Sequence, residues 1–167
     1  MSEEYFPIVN EAGETIGKET RAVCHGGSML LHPVVHVHVF NSSGELYLQQ
    51  RNWDKDIQPG KWDTAVGGHI DYGETVVQAV KRECEEELGL CEINPVLRYS
   101  YIWTSSRERE LIYVHTLCFD GVILPNPDEL LTGRFWTIDE IKAALGKNIF
   151  TPNFEYDFDL LLKKEIL

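Results

Sequence analysis

Four glutamates stand within five positions of one predicted helix, at Glu83, Glu85, Glu86 and Glu87. Residues three and four apart share a helix face, so Glu83, Glu86 and Glu87 form one acidic stripe. Like charges at that spacing repel each other by about 0.2–0.5 kcal/mol per pair, and the C-terminal end of a helix also disfavours anions. Carboxylate oxygens are the ligands that Mg²⁺ and Mn²⁺ prefer, so a divalent cation beside the stripe would offset the repulsion. The alternative is a solvated acidic face with no ligand.

The spacing of the residues around the stripe decides between these two interpretations. Residues 68–90 read GHIDYGETVVQAVKRECEEELGL. This segment resembles the Nudix box, G-x5-E-x7-R-E-U-x-E-E-x-G-U, where U is a bulky aliphatic residue. Every fixed position matches, and the one departure is Cys84 at an aliphatic position, which a buried thiol can occupy. The resemblance implies an α/β/α sandwich and a Nudix pyrophosphohydrolase, an acid anhydride hydrolase that cleaves a diphosphate linkage with the help of Mg²⁺ or Mn²⁺.

The resemblance also implies roles for the residues of the box. The positions that would hold the metal ion are Glu83, Glu86, Glu87, Glu74 and the carbonyl of Gly68. The three glutamates of the stripe are also predicted to be catalytic, together with Arg82, which lies among the acids and is expected to hold one of them in place. The general base lies inside or outside the box in this family, so the resemblance does not identify it. Its candidates are Glu86, Glu87, Glu108 and Glu110.

A longer stretch extends the resemblance beyond the box. Residues 30–69 read LLHPVVHVHVFNSSGELYLQQRNWDKDIQPGKWDTAVGGH and resemble the type I isopentenyl-diphosphate isomerases, a branch of the same superfamily. That resemblance implies that Arg51 and Lys55 bind the diphosphate, and that a second site binds a transition metal, Zn²⁺ or Mn²⁺. The ligands of the second site would be His25, His32, His69, Glu108 and Glu110. The alternative is that these histidines are surface, capping or loop residues. His36 and His38 are interpreted as strand residues with no clear partner, and no role is assigned to them.

Three departures from the isomerases favour hydrolysis. Gly67 stands where those enzymes carry a proton-transferring cysteine, and Asn153 stands near the position of their tryptophan. The third departure is the complete box, which retains every hydrolytic carboxylate. We therefore predict the hydrolysis of a small nucleotide-like or other diphosphate compound. An isomerase of isopentenyl diphosphate that uses a different acid is the first alternative, and a non-catalytic ligand-binding domain is the second.

These residues do not identify the substrate. Nucleoside diphosphate derivatives, dinucleotides and isoprenyl diphosphates all remain open. Aromatic side chains outside the box are candidates for stacking on a base or lining an apolar pocket, although most aromatic residues pack in the core. These candidates are Trp53, Trp62, Tyr72, Tyr101 and Trp103.

The chain as a whole has the composition of one globular domain over residues 1–167. Its formal net charge of −12 argues against a nucleic-acid polymer as partner, so we expect a small-molecule diphosphate bound through cations. The sequence contains no run of 18 apolar residues and therefore predicts no membrane span, and residues 1–10 do not resemble a signal peptide. Four cysteines without a CxxC pair are typical of reduced thiols in a cytoplasmic protein. A homodimer remains open.

The elements that must position these residues follow from hydrophobic periodicity. Alternation in VVHVHVF places Val35, Val37 and Val39 on one strand face, with His36 and His38 on the other. The predicted strands are 5–9, 15–18, 34–40, 45–51, 61–70, 96–103, 110–119 and 133–136. The predicted helices are 74–88, 136–145 and 158–166. This order predicts a mixed β-sheet with helices packed on both sides.

Overall fold

A computed structural model describes residues 2–55 and 57–167 of the protein. The chain begins with a two-stranded antiparallel sheet of β1 (Tyr5–Val9) and β2 (Thr15–Thr20), which confirms the first two predicted strands, 5–9 and 15–18. In its turn the side chain of Asn10 accepts hydrogen bonds from two backbone amides. A short helix, α1 (Arg21–His25), follows; five residues are too few for a periodic pattern, and the sequence did not predict it.

A seven-stranded mixed sheet forms the centre of the molecule. Its strands are β3 (Leu31–Phe40), β4 (Leu46–Arg51), β5 (Trp62–Thr64), β6 (Val66–His69), β7 (Val96–Thr104), β8 (Arg109–Cys118) and β9 (Leu130–Trp136). β3 and β8 pair in parallel along their whole lengths, and β7 is antiparallel to β8. The remaining pairs are antiparallel, which gives the mixed sheet that the sequence predicts.

The sheet divides where the sequence predicts a single strand over residues 61–70. Ala65 separates β5 from β6. β5 pairs with β4 at residues 48–50, whereas β6 pairs with β3 at residues 34–37. β3 and β4 pair directly only at Val39 and Phe40, so the two halves of the sheet diverge. We call this divergence the strand fork. A hydrophobic pattern indicates which residues are extended, but it does not indicate which strand they pair with. The sequence therefore did not predict the strand fork.

Helix α2 (Val76–Leu88) carries the acidic stripe. It begins two residues later than predicted, because Thr75 is the N-cap and forms a capping box with Gln78. Gly89 ends it in the left-handed conformation with φ of 65°, as the sequence predicts. The buried face of the helix packs against the valines of β3 and includes Cys84, which is completely buried. A thiol therefore occupies the aliphatic position of the box.

Two further helices, α3 (Ile138–Ala144) and α4 (Pro152–Lys163), complete the fold. α4 begins six residues earlier than predicted, because Thr151 caps it and Pro152 stands in its first turn. Phe154 and Phe158 of α4 pack in a second apolar cluster, and α4 lies on the histidine face of β3, opposite α2. Helices on both faces of the sheet confirm the predicted α/β/α sandwich. No helix in the described part of the chain is long and apolar enough to cross a membrane.

Candidate active site

A cavity of about 620 Å³ opens at the strand fork. β4, β5 and β6 form part of its wall, and α2 presents the acidic stripe to it. Among the residues around it are Arg51, Asp63, Gly68, Glu83 and Glu87. Most of its lining is charged or polar, so the cavity is suited to a charged ligand rather than to a large apolar one.

Arg82 organises the acidic side of the cavity. Its Nε and one terminal nitrogen donate to the two carboxylate oxygens of Glu74, at 2.8 and 2.9 Å. The other terminal nitrogen donates to Glu83 at 2.8 Å and to Glu86 at 3.3 Å. A further bond of 3.0 Å reaches the backbone carbonyl of His69, which ties α2 to β6. These hydrogen bonds agree with the predicted role of Arg82, which is to hold an acid in place.

Glu74 is bound on both of its oxygens by Arg82, and it also accepts a hydrogen bond from the backbone of Asp71. Burial alone would raise the pKa of Glu74, but the bonds from Arg82 outweigh it and hold that pKa below its ordinary value. Glu74 is not among the described residues that line the cavity. In this geometry it orients Arg82, and its role as a metal ligand stays a prediction.

Glu83 lies against the backbone of Gly68. A Cβ on Gly68 would lie 2.1 Å from the Cδ atom of Glu83, so a side chain at this position would displace the Glu83 carboxylate. The Glu83 side chain is 12% exposed. Burial raises its pKa to about 7, although Arg82 acts in the opposite direction.

Glu86 and Glu87 complete the stripe in different surroundings. The Glu86 side chain is more than half exposed and accepts a hydrogen bond from Arg82. Glu87 accepts hydrogen bonds from the side chain of Gln49 at 3.1 Å and from the backbone of Gly67 at 3.4 Å. Burial, reinforced by the nearby charge of Glu83, raises the pKa of Glu87 well above its ordinary value. Crowded, partly buried carboxylates of this kind suit a Mg²⁺ or Mn²⁺ ion, whose charge would favour their ionised forms.

A second group of metal-type ligands lies at another end of the cavity. One ligand atom from each of four residues falls within 4.8 Å of all the others; the residues are His25, His32, His69 and Glu108. The Nε2 atoms of His25 and His69 are 2.9 Å apart, and Glu108 Oε2 lies 3.2 Å from the former. Three imidazoles and a carboxylate match the donor set that Zn²⁺ and other borderline metals prefer.

Two atoms of this histidine cluster are buried without a hydrogen bond among the described residues, His32 Nε2 and Glu108 Oε2. The other ring nitrogen of His32 bonds to the Leu30 carbonyl at 3.0 Å, an arrangement that fixes the ring and directs Nε2 into the cluster. The ring of Phe6 stacks on His69 at 4.4 Å. Burial and the neighbouring His25 lower the pKa of His69, which keeps its imidazole in the neutral form that binds metals. The residues present therefore fit a transition metal.

Glu110 stands outside that four-residue group. Its Oε1 lies 3.9 Å from Nε2 of His69, and its side chain is almost completely buried beside the cavity. Burial, with the nearby charge of Glu108, raises the pKa of Glu110 to about 7. A carboxyl group that titrates near neutral pH is suited to accept or donate a proton.

The predicted diphosphate-binding cations, Arg51 and Lys55, both line the cavity. Arg51 donates to the Ile57 carbonyl at 3.1 Å and lies 3.5 Å from Asp63. Lys55 has only a long contact of 3.9 Å with Glu129. Both side chains therefore retain donors for an anionic ligand. Arg21 and Arg107, which the sequence analysis did not single out, line the cavity as well.

Comparison with known proteins identifies the family. The sequence pattern of the NUDIX domain matches residues 30–154, three quarters of the chain. The chain belongs to the Nudix family. An isopentenyl-diphosphate Delta-isomerase of Agromyces mediolanus is 35% identical over 150 residues, which cover 86% of this chain and 73% of the relative. An uncharacterized Nudix hydrolase of Listeria monocytogenes is 30% identical, with 90% of each chain covered. The crystal structure of a Deinococcus radiodurans protein superposes with a TM-score of 0.75 at 26% identity, covering 89% of this chain and 92% of that one. These relatives confirm that the resemblance extends beyond the box and includes both hydrolases and isomerases.

Sequence reasoning missed one buried network beside the Nudix site. His36 Nδ1 and His38 Nε2 both donate to Asp157 Oδ2, at 2.7 and 3.0 Å, and the Tyr101 hydroxyl bonds to the other carboxylate oxygen. Asp157 is completely buried on α4. The sequence signal that could have identified this network was Asp157 on the apolar face of a helix, together with two histidines on one face of β3. The assignment of His36 and His38 as residues without a partner was wrong.

The aromatic residues suggested for substrate contact lie elsewhere in the described structure. None of the five lines the cavity. Trp53 is 68% exposed and covers Gly60, and Trp103 packs against Tyr156. Trp62 packs edge-on against Trp136 in the second core cluster. These rings stabilise loops and helix contacts in the structure.

Proposed function

We propose that this protein hydrolyses a diphosphate linkage in a small-molecule diphosphate compound and requires Mg²⁺ or Mn²⁺. The observation that carries the proposal is the common cavity, which Glu83, Glu86 and Glu87 face together with the cations Arg51 and Lys55. Acidic groups for a metal and basic groups for phosphate oxygens are the two requirements of phosphoryl chemistry in an otherwise acidic protein.

The side chains divide the work of such a reaction. Glu83, Glu86 and Glu87 would hold the cation, which supplies neutralisation of phosphoryl charge and activation of water. Arg82 keeps these carboxylates in position through the bonds described above, and Arg51 and Lys55 would bind diphosphate oxygens. The base that takes the proton from water is one of Glu86, Glu87, Glu108 and Glu110.

The histidine cluster would hold a second metal, Zn²⁺ or Mn²⁺, through His25, His32, His69 and Glu108. Glu110, which stands beside that group, would contact the ion or its surroundings. The buried and unbonded His32 Nε2 and Glu108 Oε2 support this assignment, since a buried polar atom without a partner is costly unless a ligand satisfies it.

An isomerase of isopentenyl diphosphate is the second candidate, and the named relatives favour it. Gly67 offers no group for transferring a proton to carbon, so an isomerase would have to use another acid. Glu110, with a pKa of about 7, is one group in the cavity that could act as this acid. The two candidates differ in product, since hydrolysis splits the diphosphate linkage into two phosphate-bearing products and isomerisation moves a double bond.

The test is a screen of nucleoside diphosphate derivatives, dinucleotides and isoprenyl diphosphates with Mg²⁺ or Mn²⁺. Chromatography measures the phosphorylated products of diphosphate cleavage in one assay and dimethylallyl diphosphate in another. We expect cleavage of the diphosphate linkage that disappears in the presence of a chelator. Double-bond migration without any hydrolysis would establish the second candidate instead. Inactivity in both assays, with every compound and both metals, would contradict both.

A further inference from the structure

The network that joins β3 to α4 includes one histidine that reaches the cavity. His36 lines the cavity, whereas its neighbours His38 and Asp157 do not. Its Nδ1 is fixed by Asp157 at 2.7 Å, so the opposite edge of the ring, which carries Nε2, is the edge left for a ligand. A cavity histidine with its other nitrogen held by a buried carboxylate has a fixed orientation.

The position of Gly67 shows that the space beside His36 lies next to the acidic stripe. A Cβ on Gly67 would lie 3.6 Å from Cδ2 of His36 and 3.9 Å from its Nε2, which are ordinary contact distances. The backbone nitrogen of the same glycine donates to Glu87 at 3.4 Å. His36 and Glu87 therefore flank one residue of β6 that has no side chain. The space that a side chain would fill is left for a ligand.

The buried charge of Asp157 indicates the protonation state of the His36 ring. Asp157 is completely buried, and an ionised carboxylate in such a place requires a positive partner as well as hydrogen bonds. Burial disfavours a charged imidazole, but the charge of Asp157 and the hydrogen bond to it outweigh this and raise the pKa of His36 to about 9. Asp63 and Glu110 act in the same direction. With both ring nitrogens protonated, Nε2 is a charged donor facing the cavity.

We propose that His36 is a substrate-binding residue of this cavity, whose Nε2 donates a hydrogen bond to a phosphoryl oxygen of the bound diphosphate, and that Asp157 is its positioning residue. The inference rests on the proposed function and deepens it. It places a cationic group on the β3 side of the cavity, in addition to Arg51 and Lys55 on the β4 side. A diphosphate bound at the strand fork would then contact cations from both halves of the sheet.

His38 provides a matched control for this proposal. It donates to the same oxygen of Asp157 and is completely buried, but it does not line the cavity. A purely structural network would therefore respond similarly to His36→Gln and to His38→Gln. A ligand contact would respond to the first alone.

The experiment measures the binding of methylenediphosphonate, a diphosphate analogue that cannot be hydrolysed, to the full chain loaded with Mg²⁺ and Zn²⁺. Calorimetry of His36→Gln is expected to show a dissociation constant at least about 10-fold weaker than that of the wild type, the loss typical of a charge-assisted hydrogen bond. His38→Gln is expected to change it less than about 2-fold. Asp157→Asn is expected to weaken binding by an intermediate factor, because it removes the orientation of the ring and leaves the ring itself.

Unchanged affinity in His36→Gln, or equal losses in His36→Gln and His38→Gln, would overturn the proposal. If a glutamine variant does not fold, as judged by circular dichroism, the wild-type protein provides the readout. The ¹⁵N resonance of His36 Nε2 is expected to shift on addition of the diphosphonate while that of His38 stays in place, and a stationary His36 resonance would refute the contact. Wild-type protein that does not bind the diphosphonate would instead overturn the proposed function, and this inference with it.

Discussion

Gly68 and Glu83 are packed so closely that a Cβ on the glycine would lie 2.1 Å from the carboxyl carbon of the glutamate. This contact joins β6 to α2 at the point where the acidic stripe meets the cavity. The first and the central fixed positions of the Nudix box are therefore in direct contact, although fifteen positions separate them in the sequence. The spacing within the box is in part a packing requirement.

Gly68→Ala is expected to displace the Glu83 carboxylate and to lower turnover by about 10- to 100-fold, since a shift of about 1 Å in a catalytic group can have that effect. Gly17→Ala is the control, because a Cβ there makes an ordinary contact of 3.9 Å with Ile8 and Gly17 does not line the cavity. It should retain the fold and reduce turnover much less. Steady-state kinetics and Mg²⁺ affinity are measured for both. Equal activity in the two variants would contradict the importance of the Gly68 contact.

Glu87→Gln is expected to lower hydrolytic turnover by about 100-fold or more, because it removes a charged oxygen ligand from the proposed cation site. The fold should remain intact, and the apo protein should melt at an equal or higher temperature, since one repelling charge is gone. Glu85→Gln is the matched control: Glu85 is exposed on the same helix and lies outside the cavity. Full turnover in the Glu87 variant would eliminate its proposed metal role.

Binding of Mg²⁺ is expected to depend on pH. Burial raises the pKa of Glu83 to about 7, so in the metal-free protein this carboxyl group is largely protonated at pH 6. A cation must displace that proton, and its affinity should therefore fall as the pH drops below 7, by about tenfold per pH unit for each proton displaced. Calorimetry at pH 6, 7 and 8 tests this, with proton release at pH 6 as an internal check. A dissociation constant that is the same at all three values would contradict it.

His69→Ala is expected to remove the transition metal without removing Mg²⁺. The variant loses one of the four donors of the histidine cluster, and elemental analysis of protein purified with Zn²⁺ should show a loss approaching one equivalent per chain. Glu87→Gln serves as the reciprocal control, because it should retain the Zn²⁺ and lose affinity for Mg²⁺. Equal Zn²⁺ content in the wild type and in the His69 variant would rule out the proposed second metal site.

Local patterns predicted most of the fold. The spacing of the box identified α2 and its acidic stripe, and the alternation along β3 separated its valine face from its histidine face. These features depend on residues within a few positions of one another, which is where helix and strand periodicity operates. The end of α2 at Gly89 followed from the same kind of local signal.

What the sequence did not predict depends on partners that are distant in the chain. Asp157 meets His36 across 121 positions, and no local pattern connects them. The separation of β5 from β6 at Ala65 depends on which strand edges are open, a property of the assembled sheet. The arginines at 21 and 107 were likewise not predicted as cavity residues, because the wall of the cavity is assembled from segments that are distant in the chain.

The strand fork has a consequence for how this scaffold diversifies. The carboxylate helix is anchored to β6 and β3, whereas Lys55 belongs to the connection between β4 and β5, on the other side of the divergence. We therefore expect substitutions in that connection to change which molecule is accommodated more than they change the proposed cation site. Under this proposal, selectivity diverges among related chains through one short connection while the acidic helix is inherited.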